Sequence, residues 1–216
     1  MQTKRFFAEQ ILRELQDDHR NIDFKIDERE VFLRLDAVVN ELATQNYFDN
    51  WKLTGQGVDE QFITTWEPVV VVDDDEPEGM PSELTLPASY AALPRNRGID
   101  EIYPLKFNKE NQSAVIVMSH ADYRMYANNP ARGMEGRLFG YLSGNKLIFG
   151  TCDVARKYGK NFGVRLVVRD SSQIGNDESY PIPADKQQSV VDACVQWFRD
   201  RRKQPTDSVR DNKDQM

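Results

Sequence analysis

The residues able to do chemistry in this chain are few and dispersed. His19 and His120 are the only histidines of the 216 residues, and Cys152 and Cys194 the only cysteines. A metal centre or acid–base pair would need a histidine to converge with carboxylates, and no H-x-x-x-H spacing is present. The expected roles for both histidines are solvation or capping. The cysteines sit in dissimilar contexts, a strand edge and an apolar helix face. Buried thiols are therefore expected, not a disulfide framework. Neither cysteine has a partner histidine at a suggestive position, and no G-x-S-x-G elbow occurs, so nucleophilic catalysis is not expected.

The remaining polar clusters read as structure. Asp73, Asp74, Asp75 and Glu76 are consecutive and followed by Pro77. A calcium loop needs alternating ligands, a glycine at its sharp turn and a distal bidentate glutamate, so this run is expected to be a solvated strand end. The turns at Gly98 and at Gly133 to Gly136 lack the G-x-x-x-x-G-K-[ST] pattern of a phosphate loop. Arg95, Arg97, Arg165 and Arg169 form scattered basic pairs without an aromatic ladder. Salt bridges to an acidic neighbour are their expected use. With 28 Lys and Arg against 35 Asp and Glu, the net charge is −7, which suits a surface that DNA slides past and not one that grips it. The chain is expected to be non-enzymatic, with no catalytic residue, no cofactor and no metal.

The elements that must position any surface follow from periodicity. Phe7, Ile11, Leu12 and Leu15 recur at helical spacing, and Val31, Leu35, Val38 and Leu42 make a second stripe. Asp27 and Glu30 form a capping-box pattern ahead of that second helix, and the short connection predicts an antiparallel hairpin. Residues 62–72 are β-branched and aromatic and predict a strand. A turn at Asn96-Arg97-Gly98 leads into a strand at Ile99–Lys106. A hairpin with Ser143-Gly144-Asn145 at its tip joins strands near 138–142 and 146–149, and a further strand spans Gly163–Arg169. A short helical piece is expected at Ser119–Asn129. Pro183 suits the first turn of a last helix carrying Val190, Val191, Cys194, Val195 and Phe198, closed by basic residues and Pro205. The expected class is α+β. An N-terminal helical hairpin spans 1–52, a central, mostly antiparallel β domain 53–180, a C-terminal helix 181–204, and a polar extended tail 205–216. The N-terminal residues lack a secretory h-region, and no apolar run nears the roughly 18 residues of a bilayer span. A soluble chain made in the cytoplasm, without a membrane partner, is expected.

The order of these features carries a family likeness. An amphipathic helix pair includes Asp27-Glu-Arg-Glu-Val-Phe-Leu and Asn40-Glu-Leu-Ala. Leu86-Pro-Ala-Ser-Tyr and Leu93-Pro-Arg-Asn-Arg-Gly-Ile-Asp-Glu-Ile-Tyr follow, then short strands, a late helix and Pro205-Thr-Asp-Ser-Val-Arg-Asp-Asn. This order resembles the head-to-tail connector (adaptor or ring) subunits of short-tailed and crAss-like bacteriophages. The resemblance implies a cyclic homo-oligomer of about twelve copies with heterologous interfaces. It implies the phage portal and the next tail ring protein as partners, and a place in the virion at the portal vertex. Genomic DNA would pass through without specific binding. Expected interface residues are Phe48 and Trp51 at the hairpin's end, and Arg95, Asn96, Arg97 and Asp100 in the central turn. In the tail they are Thr206, Asp207, Arg210 and Lys213. Phe6 and Tyr47 are further aromatics expected to face a neighbour. The alternative reading is a monomeric adaptor that binds a protein through exposed aromatics, with no virion role.

Overall fold

A computed structural model describes residues 2–17, 26–54, 57–72, 82–106, 114–128, 137–149, 154–169 and 174–203. The class is α+β, and the chain forms two compact units, Met1–Val39 with Gly175–Met216, and Asn40–Ile174. These units are drawn differently from the sequence segments 1–52, 53–180 and 181–204. The last helix joins the N-terminal residues, and one long helix contributes to both units.

The first unit is helical. Helix α1 (Lys4–Asp17) packs against α5 (Gln187–Lys203), and the first half of α2 (Glu28–Thr54) completes the set. Each helix buries most of the stripe its spacing predicts: Phe7, Ile11 and Leu15; Val31, Leu35 and Val38; Val190, Val191, Cys194, Val195 and Phe198; Leu12 and Leu42 are half-buried. Thr3 caps α1, its Oγ1 accepting the Phe6 N–H at 3.2 Å. Asp27 caps α2 through its Oδ1, which accepts the Arg29 N–H at 3.0 Å. The cap therefore serves the second N–H of the helix, while Glu30 meets Arg201 at 3.6 Å. The chain's start is laced to the segment before α5: Thr3 bridges Ser179, and Tyr180 N–H donates to the Gln2 carbonyl at 3.1 Å.

The second unit is a curled seven-stranded sheet of order β3-β7-β1-β2-β6-β5-β4. Its strands are β1 (Ile63–Val72), β2 (Glu83–Thr85), β3 (Ile99–Pro104), β4 (Ile116–Met118), β5 (Phe139–Ser143), β6 (Lys146–Phe149) and β7 (Asn161–Val167). Strand β1 is long enough to serve two neighbours, pairing with β7 over most of its length and with β2 at Val71 and Val72. Its register shifts between Trp66 and Val69, where Pro68 has no N–H to give the ladder. Five of the six strand pairs are antiparallel as expected; β4 and β5 run parallel. A parallel pair needs a crossover, and α3 (His120–Asn128) lies in it. The two ends of the sheet meet, because Val115 N–H, just before β4, donates to the Ile102 carbonyl of β3 at 2.7 Å. Curling leaves little unpaired edge and encloses a core of Leu84, Ile102, Leu147, Phe149, Phe162, Val164 and Leu166.

Helix α4 (Val154–Tyr158) has no counterpart in the sequence reading. Five residues are too few for a periodic stripe. Its start is set tertiarily, by the buried Ser82 hydroxyl accepting the Val154 N–H at 3.2 Å.

Candidate functional site

The turn expected to present Arg95 to Asp100 is a short 3-10 segment, Pro94–Asn96, in which Asn96 takes the left-handed conformation at φ 57°. Asparagine tolerates that region because its short side chain bonds locally. Arg97 is exposed and Asn96 half-buried. Asp100 is already engaged within the chain, 3.0 Å from the Arg165 Nε. That proximity is an ion pair without a hydrogen bond, since the Nε–H finds no acceptor in line. A second Arg165 nitrogen donates to Glu60 at 3.2 Å. Arg165 thus ties β7 to flanking segments of its own unit, where the sequence suggested a neighbouring subunit. The side chain of Arg95 and the tail residues Thr206, Asp207, Arg210 and Lys213 lie outside what is described, as do His19, Cys152 and the acidic run at 73–76.

Beside Arg165, the Tyr103 ring lies across Gly163 and its hydroxyl donates to the Glu67 carboxylate. Tyr103 sits on β3 and Glu67 on β1, so the ring spans β7 between them. Only glycine fits beneath it, since a Cβ on Gly163 would stand 2.4 Å from the Tyr103 Cζ. The hydrogen bond to Glu67, burial and the Glu67 charge push the Tyr103 hydroxyl up to about 12, against a smaller opposing effect of Arg165. The expected result in an alkaline titration of phenolate absorbance is one tyrosine ionising near 12 and returning toward the ordinary range of about 10 in Glu67→Gln. Because the folded value lies above the unfolded one, the stabilisation is complete below about pH 10 and lost as pH rises through about 12. A wild-type titration with no late-ionising tyrosine would show that the bond does not form.

The end of α2 presents a mixed surface. Tyr47, expected to face a neighbour, is core: it follows the buried Ala43 by one turn on the inner face of the helix. Trp51 is half-buried and stacks on Tyr47 with ring centroids 6.2 Å apart. Phe48 is 45% exposed and Leu53 82% exposed. The following chain is clasped to this helix, with Asn46 and Asn50 both donating to the Asp59 carboxylate, at 2.6 and 2.9 Å. That clasp holds Phe48 and Leu53 outward on a fixed helix end.

Two features escaped the sequence reading. Lys4 and Asp36 form a buried pair at 3.3 Å, with the Tyr180 hydroxyl also donating to Asp36. Lys4 lies 4.8 Å from the centre of the Phe32 ring. The second is Trp197, at the exposed flank of α5, with the Arg34 and Arg201 guanidinium carbons 5.2 and 5.3 Å from its ring centroid. Trp197 falls off the apolar stripe of α5 and shares a face with Arg201 one turn on; that phase was the available signal. His120 opens α3, set edge-on to Tyr141 at 4.7 Å, and Ser119 supplies the cap by accepting the Asp122 N–H at 3.1 Å.

Among the described residues no group of three or more His, Cys, Asp or Glu side chains is placed to hold a metal ion. No described helix is long and apolar enough to cross a membrane. The arrangement defines an α+β protein with a curled mixed sheet, and its exposed large apolar side chains stand mostly on α1, α2, α3 and α5 and also on β1, at Val70 and Val72. No protein-family model matches the chain, and no curated protein matches its sequence.

Proposed function

We propose that this chain is a non-enzymatic structural subunit of a tailed-bacteriophage head-to-tail connector, a ring of about twelve copies joining portal to tail around the DNA passage. The observation that carries the reading is the end of α2, where Phe48 and Leu53 stand exposed on a clasped helix end. The β unit beside them buries its own core and ties its own sheet edges together. Its core is closed, so Phe48 and Leu53, like the exposed Val70 and Val72 of β1, are surplus to folding and suited to a protein neighbour. The net charge of −7 supports a channel wall that lets DNA move. The order of motifs from Asp27 to the residues after Pro205 supports the phage assignment and a place in the virion.

The test is assembly on the portal. Purified chain is mixed with assembled portal rings and followed by native mass measurement and negative-stain microscopy. A stacked ring on the portal is the expected result. Phe48→Asp and Leu53→Asp should reduce its occupancy at least tenfold. A chain that leaves the portal bare at saturating concentration overturns the connector reading, and robust turnover in nuclease, esterase or glycosidase screens overturns the non-enzymatic one.

A further inference from the structure

The surface around Trp197 has the composition of an interface centre. Trp197 is 36% exposed, Leu33 is 63% exposed, and Arg34 and Arg201 approach the indole within cation–π range. Tryptophan and arginine are the residue types that dominate binding hot spots, and arginines held against a ring are already ordered before a partner arrives. Arg201 has five donors and, among the described residues, one carboxylate partner, Glu30, at the long separation of 3.6 Å. The two cations on this face, Arg34 and Arg201, outnumber its one carboxylate among the described residues, Glu30, in a chain whose net charge is −7.

The complement is carried by the same chain. On the second half of α2, Asp49 and Leu53 share a face one turn apart, with Phe48 adjoining. All three are exposed. Glu41 is exposed two turns earlier, and Lys52 is the one cation in the stretch from 41 to 53. The end of the helix adds the partial negative charge of its last carbonyls. One surface is apolar and basic, the other apolar and acidic, and they are different surfaces. Two different complementary faces on one chain make a heterologous contact, which propagates from copy to copy.

We infer that the Trp197 face, with Leu33, Arg34 and Arg201, receives the Phe48–Asp49–Leu53 face of a second copy of this chain, head to tail. The inference rests on the ring-subunit reading for its direction and deepens it by naming both halves of the subunit contact. It needs no portal, so the two ideas fail separately.

The experiment is a charge-swap series on the full chain, read by sedimentation across concentration at low and high salt. The wild type is expected to self-associate, less so at high salt. Arg201→Glu and Asp49→Arg are each expected to weaken association at least tenfold, and the double variant to recover most of the loss. Mixing the two single variants should restore growth in alternating order, because each altered face meets its charge complement only on the other variant. Both positions are exposed, so the fold is expected to survive. A wild type that stays monomeric at every concentration overturns the contact. So do single variants that associate like the wild type. Loss in Trp197→Ala with none in Asp49→Arg would overturn the head-to-tail arrangement in favour of two Trp197 faces meeting. A chain that captures the portal while failing these tests retains the connector reading and loses this contact. One that passes them and ignores the portal does the reverse.

Discussion

Gly98→Ala is expected to abolish or nearly abolish folding of the β unit. A Cβ at Gly98 would stand 1.8 Å from the Ala91 carbonyl oxygen and 2.9 Å from its carbon. Those are backbone atoms, so no rotamer change relieves the clash. Nor can the segment step back freely. The Ala91 N–H donates to the Val167 carbonyl at 2.7 Å, and the Val167 N–H donates to the Gly98 carbonyl at 2.8 Å. Tyr90 also bridges Val168 on the same run. Making room for one methyl group therefore breaks the bonds that Val167 of β7 makes through both its N–H and its carbonyl. A loss of about 4 kcal/mol or more is expected, at the extreme of single substitutions and comparable with the whole stability of many domains. The control is Gly144→Ala at the β5–β6 hairpin, where φ is 61° and nothing lies within 4 Å; it should cost only about 1–2 kcal/mol of backbone strain. Soluble yield and the urea midpoint at constant slope measure both. A Gly98→Ala protein with a midpoint at or above that of Gly144→Ala would show that the segment at 90–91 does not run over this turn.

The second large effect is expected at Asp36. Replacing it by alanine leaves the Lys4 ammonium with its side chain 6% exposed and its carboxylate gone. The Phe32 and Tyr180 rings, 4.8 and 5.9 Å away, offset only part of that cost. The Tyr180 hydroxyl loses its acceptor at the same time. Breaking a buried pair from one side typically costs about 3–5 kcal/mol, because the remaining buried charge loses its counter-ion. Removing both charges with apolar residues of similar size, Lys4→Met with Asp36→Leu, should restore most of the loss. Tyr180→Phe alone should cost about 1.5–3 kcal/mol, the range for a hydrogen bond to a charged group. Denaturant unfolding of the single and double variants, closed as a cycle, measures the coupling. Additive losses would mean that the pair is solvated and contributes nothing to the helical unit.

Both predictions concern residues with little local signature. Lys4 opens an amphipathic helix as an ordinary lysine would, and Asp36 interrupts the apolar stripe of α2 only by sitting beside Leu35. Thirty-two residues separate them, and no periodicity links positions on two helices. Gly98 was readable as a turn residue, which it is, but turn chemistry does not reveal which backbone passes overhead. Tyr103 over Gly163 is a similar case, a pairing across β3, β7 and β1 set by register alone.

By itself the sequence determined the elements whose residues record their own burial. The stripes of α1, α2 and α5 sit inward where their spacing put them, and β1, β3, the β5–β6 hairpin and β7 lie where β-branched runs and turn residues placed them. Asp27 begins α2, because a cap acts within a few residues. The α+β class follows from those elements. Tertiary structure alone decided which elements share a core. It grouped α5 with the N-terminal residues and divided α2 between two units. It ran β4 parallel to β5 and tied the two sheet ends through Val115. It also decided the use of each charge, spending Asp100 and Arg165 on one another and burying Tyr47, while leaving Phe48, Leu53 and Trp197 outward. The physical reason is the range of the forces involved. Helix and strand patterns arise from neighbours a few residues apart, whereas the partner of an arginine, or the face a tryptophan shows, depends on segments brought together only when the chain has folded.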